Sequence, residues 1–184
     1  MALFRPAQMK IRYILLCVIT IAAALTVAWA QKAKVTRAYA DENGAMHVIY
    51  DDGREKIIHK QRDTMGVGDV KIARDGQTVG WIVDWPNPDA PNGTPIPGTL
   101  VIWRNGKVVR KFAPGPVAFW GWNFWDGGTR VAYELGAMHF SNGNYELRDI
   151  AAGRLLARYY CNDWDQQHCD PGEMPDWAKA IPVH

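Results

Sequence analysis

The chain has 184 residues, with 21 lysines and arginines against 19 aspartates and glutamates, and a formal net charge of +2. Three of the basic residues and none of the acids lie in the first thirty positions, so the remainder carries a charge of about −1. This charge balance gives no indication of a nucleic acid or other anionic surface as partner, and we expect no nucleic acid as a partner.

Residues 1–30 have the three-part pattern of a secretory signal. Three basic residues precede an apolar run from Tyr13 to Val27. The tripeptide Ala28-Trp29-Ala30 then places small residues at −3 and −1 of a cleavage site before Gln31. This order predicts a periplasmic or secreted protein whose single domain is residues 31–184.

The alternative is an uncleaved anchor in the inner membrane. Residues 13–30 approach the minimum apolar length that spans a bilayer. Only in that case would a membrane be a partner of this chain.

The remainder of the chain is predicted to be all-β. Its runs are short, rich in Val, Ile, Tyr, Trp and Phe, and separated by Gly, Asn and Asp. Three hairpins follow from this pattern: 46–58, 100–112 and 145–159. Asp52-Gly53 and Asn105-Gly106 supply the turns of the first two, because both dipeptides suit positive φ angles.

The second and third hairpins belong to a larger repeat. Each is preceded by a strand, an Asp-Gly turn with a following Thr, and another strand; the turns begin at Asp75 and Asp126. This order predicts two antiparallel four-stranded units, near 68–112 and 118–160, and a partial third unit at 35–60.

The segments Ala73–Trp81 and Trp125–Tyr133 resemble the strand-turn-strand signature of the WD-like repeats in TolB-type periplasmic β-propellers. The second copy contains one inserted residue, and neither has the Ser-Pro that often precedes the Asp. The resemblance implies propeller-like units arranged as a partial propeller or a sandwich. That class includes protein-docking modules and peptidase appendages, so the resemblance implies no particular activity.

Two and a half units are too few to close a propeller, which has four or more blades. The unpaired N–H and C=O groups of an exposed strand edge can pair with other chains, so natural proteins cover such edges. Three arrangements would supply it: two chains complete a ring, the strands fold back as a sandwich or open barrel, or the C-terminal segment covers the open side.

Two segments stand out from the strand pattern. Val117–Trp125 is apolar on both alternating faces, which predicts a strand buried on both sides, with Phe119 and Trp122 on opposite faces and Trp120, Trp122 and Trp125 in the core. Residues 84–99 contain five prolines and are predicted to form a long surface loop.

After residue 160 the chain is acidic and contains two cysteines. In an oxidising compartment Cys161 and Cys169 are predicted to form a disulfide, while a thiol metal site with His168 matches no standard zinc spacing. Four acids in this segment lack the order of a calcium loop and are interpreted as solvated surface: Asp163, Asp165, Asp170 and Glu173. Asp176 is placed to begin one helical turn.

Groups able to catalyse a reaction are scarce. Ser141 is the single serine of the chain and lies in a turn-like sequence. Glu134 and Glu146 are the remaining candidates, as strand carboxylates that could face each other at the separation used in glycoside hydrolysis. No phosphate loop, dinucleotide fingerprint or metal-ligand spacing occurs. The sequence therefore leaves an enzyme open but favours none, and it predicts no metal and no cofactor.

Tryptophan is abundant, with eight of the nine after residue 30. Trp85, at the mouth of the proline-rich loop, is predicted to form a binding rim with Asp84, Asn87 and Asp89, since loops on a rigid scaffold commonly carry recognition. The alternative is that Trp85 covers its own loop.

Two functions remain open at this point. The favoured one is an exported, non-enzymatic envelope protein that binds another envelope protein, or a second copy of itself, through the 84–99 loop or an exposed strand edge. The alternative is a glycan-binding or glycan-cleaving periplasmic protein that uses Trp85 and strand carboxylates.

Overall fold

Short antiparallel strands make up almost the whole described chain. The computed structural model describes residues 32–89, 93–115, 117–137, 140–161 and 172–182, with the backbone alone at 140–142. The strands are β1 (Val35–Ala40), β2 (Met46–Tyr50), β3 (Glu55–Ile58), β4 (Gly66–Ile72), β5 (Thr78–Trp85), β6 (Ile96–Arg104), β7 (Lys107–Phe112), β8 (Ala118–Trp125), β9 (Arg130–Ala137), β10 (Phe140–Asp149) and β11 (Leu155–Tyr160). A 3-10 turn occupies Asp126–Gly128, and one helical turn, α1, occupies Asp176–Lys179.

The strands form three antiparallel sheets in which each strand pairs with its neighbours in sequence. Sheet I contains β1–β3, sheet II contains β4–β7, and sheet III contains β8–β11. All of them belong to one compact unit, Lys34–His184. These sheets and α1 confirm the predicted all-β fold of four-stranded, propeller-like units with a short C-terminal helical turn.

The three predicted hairpins are confirmed. β2 pairs with β3, β6 with β7, and β10 with β11, all antiparallel. Asn105 and Gly106 have φ angles of 53° and 87°. Both residues therefore have the left-handed backbone conformation. A two-residue hairpin turn requires it, because only such a turn matches the right-handed twist of the flanking strands.

Consecutive sheets stack face to face because each buries apolar residues on the side that meets its neighbour. The cluster between sheets I and II consists mainly of Val35, Met46 and Val48 from sheet I with Val79, Trp81, Val101 and Trp103 from sheet II. The cluster between sheets II and III consists mainly of Ile82, Leu100, Ile102 and Phe112 with Phe119, Trp122, Val131, Tyr133 and Leu135.

The C-terminal segment covers the other face of sheet III. Ala178 and Ile181 pack against Tyr145 and Leu147. Asn123 Nδ2 donates a hydrogen bond of 2.8 Å to the carbonyl of Ala180. Of the three arrangements expected from the sequence, the described residues therefore contain the third.

Trp122 joins sheets II and III. Its side chain is fully buried, and its Nε1 donates to the carbonyl of Asp69 at 3.1 Å. The indole lies directly on Gly80, where a Cβ would come within 2.5 Å of the Trp122 ring. Glycine is needed at this position because packed interiors leave no room for an added methyl group.

The predicted face assignment of β8 is wrong. A register shift between Phe119 and Gly121 inserts an extra residue, so Phe119 and Trp122 both enter the cluster between sheets II and III. A bulge resets the two-residue alternation on which the assignment depended. Trp122 is buried as predicted, whereas Trp120 is half-buried and Trp125 packs on the other face with the C-terminal segment.

The prediction of an uninterrupted loop over residues 84–99 is also wrong. β5 continues to Trp85, β6 begins at Ile96, and Asp84 pairs with Pro97. β7 pairs with β6 only from Leu100 onwards, so Pro97 lies where the sheet has a neighbour on one side alone. A proline is tolerated there, since one strand edge donates no ladder hydrogen bonds.

Several predictions fall on residues outside the described ranges. The signal segment 1–30, Cys169 and the acids from Asp163 to Asp170 lie there, and Glu173 is exposed. Cys161 is described, and its amide donates to the carbonyl of Gly143 at 2.9 Å; its disulfide stays a prediction. Within the described ranges no helix has the length and apolar character needed to cross a membrane.

Candidate functional site

A groove of about 210 Å³ opens at the junction of sheets II and III. β4, β5 and β6 form one wall, through Gly68, Asp69, Ile82, Asp84 and Pro97, and β8 forms the other, through Phe119 to Trp122. Pockets for drug-sized ligands and cofactors measure roughly 300–1,000 Å³. This groove is smaller and suits a single side chain.

Three register shifts lie at this groove. They occur between Gly68 and Lys71 in β4, between Val83 and Asp84 in β5, and between Phe119 and Gly121 in β8. Bulges bend a strand and redirect its groups. Asp69, inside the first of them, has a φ of 45°, and its carbonyl accepts the hydrogen bond from Trp122. The bulges therefore shape the groove and attach one wall to the other.

Asp84 places a carboxylate in the groove that has no cationic partner among the described residues. Asp84 Oδ2 lies 3.6 and 3.8 Å from where Cβ atoms would stand on Gly66 and Gly68, so it rests over the face of β4 on which these two glycines present no side chain. Among the described residues no donor forms a hydrogen bond to it. Burial, without compensation from a partner, raises the pKa of Asp84 above the ordinary carboxyl value.

Asp69, the second acid of the groove, is neutralised. The Nζ of Lys71 lies 2.6 and 2.7 Å from its two carboxylate oxygens. The same ammonium group lies 4.7 Å from the centre of the Trp122 ring, within the range of a cation–π contact. Asp84 is thus left as the acid of this groove that a ligand could pair.

Aromatic side chains form the wall opposite Asp84. Phe119 is buried and packs edge-to-face on Tyr133, with ring centroids 5.1 Å apart. Trp120 is half-buried, and its Nε1 donates to the carbonyl of Ala137 at 3.1 Å. That hydrogen bond fixes the indole at the rim, where its apolar face can cover the stem of a ligand.

Of the predicted rim residues, Asp84 is the one that lines the groove. Trp85 packs at the edge of the cluster between sheets I and II, and its Nε1 donates to Thr99 Oγ1 at 3.1 Å. Its ring lies over Gly98, so Trp85 covers its own hairpin. Asn87 is buried and accepts the amide of the exposed Asp89 at 3.0 Å.

Sequence reasoning missed Phe119, Trp120 and Pro97 as groove residues. The bulge in β8 redirects the first two, and a single sequence does not show where a strand bulges. One signal was available: Gly66-Val67-Gly68-Asp69 places two glycines inside a strand, which indicates a bulge or a close approach.

The arrangement in which Glu134 and Glu146 could face each other does not occur. Tyr145 lies opposite Glu134 and Tyr133 lies opposite Glu146, so the two carboxylates occupy successive rungs of the ladder. Successive residues of a strand point to opposite faces of the sheet. These groups therefore do not share a cleft in which a glycosidic bond could be held between them.

Glu146 instead has a structural role in sheet III. It is 3 % exposed and accepts hydrogen bonds from Tyr133 Oη at 2.9 Å, Arg148 Nε at 2.8 Å and Arg158 Nη2 at 2.5 Å. Burial alone would raise the pKa of Glu146, but the hydrogen bonds from Arg148, Arg158 and Tyr133 outweigh it and lower the pKa. Every partner lies on a strand of the same sheet, so the network ties β9, β10 and β11 together.

A second cleft of about 280 Å³ lies between β7 and the turn joining β10 to β11. Arg110 Nε donates to the carbonyl of Ile150 at 3.0 Å, and its Nη2 to that of Ala151. Arg148 Nη1 donates to the carbonyl of Gly153 at 3.2 Å. The guanidinium group of Arg110 thus attaches sheet II to this turn, and that of Arg148 holds the turn to its own sheet. The described residues contain no cluster of three or more His, Cys, Asp or Glu side chains suited to a metal.

The sheets and groove define an all-β protein of stacked, propeller-like four-stranded units with a small acidic and aromatic groove at a sheet junction. No family model and no curated protein matches the chain. Among solved structures it is similar to the C-terminal WD40 domain of Sif2, with a TM-score of 0.45 and 12% identity, covering 72% of this chain and 35% of that chain. The chain thus spans about a third of that structure's length.

Proposed function

We propose that this chain is an exported, non-enzymatic binding module that holds a lysine or arginine side chain of another envelope protein in the groove between sheets II and III. The observation that carries the proposal is the half-buried Asp84 carboxylate, which has no hydrogen-bond donor among the described residues.

The chemistry of the groove supports a basic side chain as the occupant. Removing a carboxylate from water without a partner costs free energy, and a cation placed against Asp84 recovers it through a charge-assisted hydrogen bond. Lysine and arginine also have apolar stems. Such a stem would pack on Trp120 and Pro97 while its charged end reaches Asp84.

Export is supported by the sequence of residues 1–30, with its basic start, apolar run and small residues at positions 28 and 30. Absence of catalysis is supported by the separation of Glu134 and Glu146 onto opposite faces of sheet III. The TolB-type relationship belongs to the same proposal and rests on the two Asp-Gly repeats, and the periplasmic location rests on residues 1–30.

Titration with blocked amino acids tests the groove directly. Nα-acetyl-lysine methylamide is added to the protein, and the indole resonance of Trp120 is followed by NMR. The norleucine analogue, which keeps the stem and lacks the charge, is the matched ligand. We expect a saturable shift with the lysine compound and little or none with norleucine.

Two variants complete the test. Asp84→Asn should abolish the response to lysine, whereas Asp89→Asn, an exposed acid of the neighbouring loop, should preserve it. Equal responses to lysine and norleucine, or an unchanged response in Asp84→Asn, would contradict the proposal.

Glycan binding is the second candidate function, because an indole beside a carboxylate is also suited to a sugar. Co-sedimentation with envelope polysaccharide separates the two candidates. Polysaccharide binding that is lost in Trp120→Ala, together with no response to the lysine compound, would favour the glycan.

A further inference from the structure

Sheet I has three strands, whereas sheets II and III have four. The hairpin β2–β3 corresponds to β6–β7 and β10–β11, because each turn contains a glycine followed by a basic residue. These pairs are Gly53-Arg54, Gly106-Lys107 and Gly153-Arg154. The last two strands of sheet I are therefore present, and the strand that it lacks is the first.

β1 matches the second strand of the other sheets. Thr36-Arg37-Ala38-Tyr39 is similar, with one residue inserted, to the run Thr129-Arg130-Val131-Ala132-Tyr133, which leads into β9. In sheet III the partner of β9 on the side away from β10 is β8. The equivalent place beside β1, on the side away from β2, has no strand among the described residues.

The hydrogen-bond pattern identifies the groups that face this open side. The amide of Asp41 donates to the carbonyl of Ala45 at 2.9 Å, which continues the ladder between β1 and β2. In an antiparallel ladder the backbone N–H and C=O groups of successive residues face opposite sides of the strand. Those of Arg37 and Tyr39 therefore also face β2, and those of Ala38 and Ala40 face away from it. The N–H and C=O groups of these two alanines have no partner in the described chain.

We propose that β1 of a second copy of this chain fills the place, antiparallel, about a two-fold axis at Tyr39. Ala38 then lies opposite the partner's Ala40, and Ala40 opposite the partner's Ala38. Both are hydrogen-bonded pairs, so the open N–H and C=O groups of the two strands satisfy one another. The result is one six-stranded sheet, formed by sheet I of each copy.

Charge complementarity favours a second copy as the occupant. In this register Arg37 lies opposite the partner's Asp41, and the two-fold axis repeats the pair. Arg37 is exposed and has no ion pair in the described chain; its guanidinium carbon lies 4.5 Å from the centre of the Tyr39 ring. Opposite charges directly across two strands stabilise the pairing. β1 together with Asp41, the residue that follows it, is thus complementary to the same segment of a second copy.

Sedimentation velocity over a range of concentrations tests the proposal. It is carried out on the protein purified after expression of the full chain, in whatever processed form the cell yields. We expect a reversible monomer–dimer equilibrium in the wild type and a monomer in Ala38→Pro. Proline removes an edge donor that the fold itself does not use. Ile57→Pro is the matched control. The backbone N–H of residue 57 faces away from β2 on the opposite edge of sheet I, so this variant should dimerise like the wild type.

A charge variant covers the case in which Ala38→Pro fails to fold, as judged by circular dichroism. Arg37→Asp replaces both ion pairs by repulsions and should weaken the dimer at least about tenfold in Kd, whereas Arg37→Lys should retain it. A wild type that stays monomeric at every concentration, an undiminished dimer in folded Ala38→Pro, or equal dimers in the two Arg37 variants would each overturn the proposal.

Discussion

Asp84, in the groove between sheets II and III, and Glu146, within sheet III, are both carboxylates at least partly removed from water, and their surroundings are opposite. Three donors, one each on β9, β10 and β11, bind Glu146, which is 3 % exposed and has a lowered pKa. Asp84 is only half-buried, binds no donor in the described chain and has a raised pKa. The more deeply buried acid is therefore the better stabilised one.

The contrast separates two uses of a buried charge. A carboxylate surrounded by its own donors contributes to the fold, and its removal leaves those donors without an acceptor. A carboxylate without donors destabilises the fold slightly and is available to a ligand. Functional sites are commonly less stable than the scaffold around them. Substitutions at three positions test this comparison.

Substitution at Glu146 should have the largest effect. Glu146→Ala leaves two arginines without their carboxylate and should lower the free energy of unfolding by about 3 kcal/mol, since breaking a buried pair costs about 3–5 kcal/mol and these arginines are partly exposed. Urea unfolding followed by tryptophan fluorescence measures it. Glu42→Ala, at an exposed turn, should change stability by less than about 0.5 kcal/mol. A similar small loss in both variants would show that the network contributes little.

Gly80→Ala tests the packing that holds sheets II and III together beside the Asp84 groove. The new methyl group would stand 2.5 Å from the Trp122 ring, which its hydrogen bond to Asp69 keeps in place. Overpacking of this kind costs roughly 1–3 kcal/mol. Gly66→Ala is the matched control, because its Cβ would meet an ordinary contact at 3.6 Å. Equal urea midpoints for the two variants would contradict this account of the junction.

Asp84→Asn should have the smallest effect and the opposite sign. It removes a charge that the fold does not pair, so stability at neutral pH should rise slightly. Because the pKa of Asp84 is raised in the folded state, wild-type stability falls as the pH rises from 3.8 through that raised value. The advantage of Asp84→Asn should therefore disappear below about pH 3.8. Thermal melts across acid pH measure the difference, and a variant less stable than wild type at pH 7 would sink the idea.

The pH dependence of Glu146 runs the other way. Its pKa is lowered in the folded state, so its contribution is complete above the ordinary value of 4.5 and is lost as the pH falls through the lowered value. The same series of melts on Glu146→Gln should show a deficit at neutral pH that shrinks on acidification. At neutral pH the changes in stability should therefore have opposite signs, a gain for Asp84→Asn and a loss for Glu146→Gln. Changes of the same sign would contradict the contrast between the two acids.

Much of the fold could be predicted because it depends on local patterns. The hairpins at Asp52-Gly53 and Asn105-Gly106 and the repeated Asp-Gly turns are specified by a few adjacent residues. The groove could be predicted only through Asp84. Trp120 and Phe119 line the groove because of the bulge in β8. Trp85 does not line it, because its indole donates a hydrogen bond to Thr99 on the paired strand.

The sequence by itself determined that this chain forms short antiparallel strands in repeated four-stranded units, since alternation and turn chemistry act between neighbours in the chain. Only the tertiary structure decided which side chains share a face, which acid is paired and which is open. Bulges change the register by one residue, and hydrogen bonds such as that from Trp122 to Asp69 join groups that lie far apart in sequence.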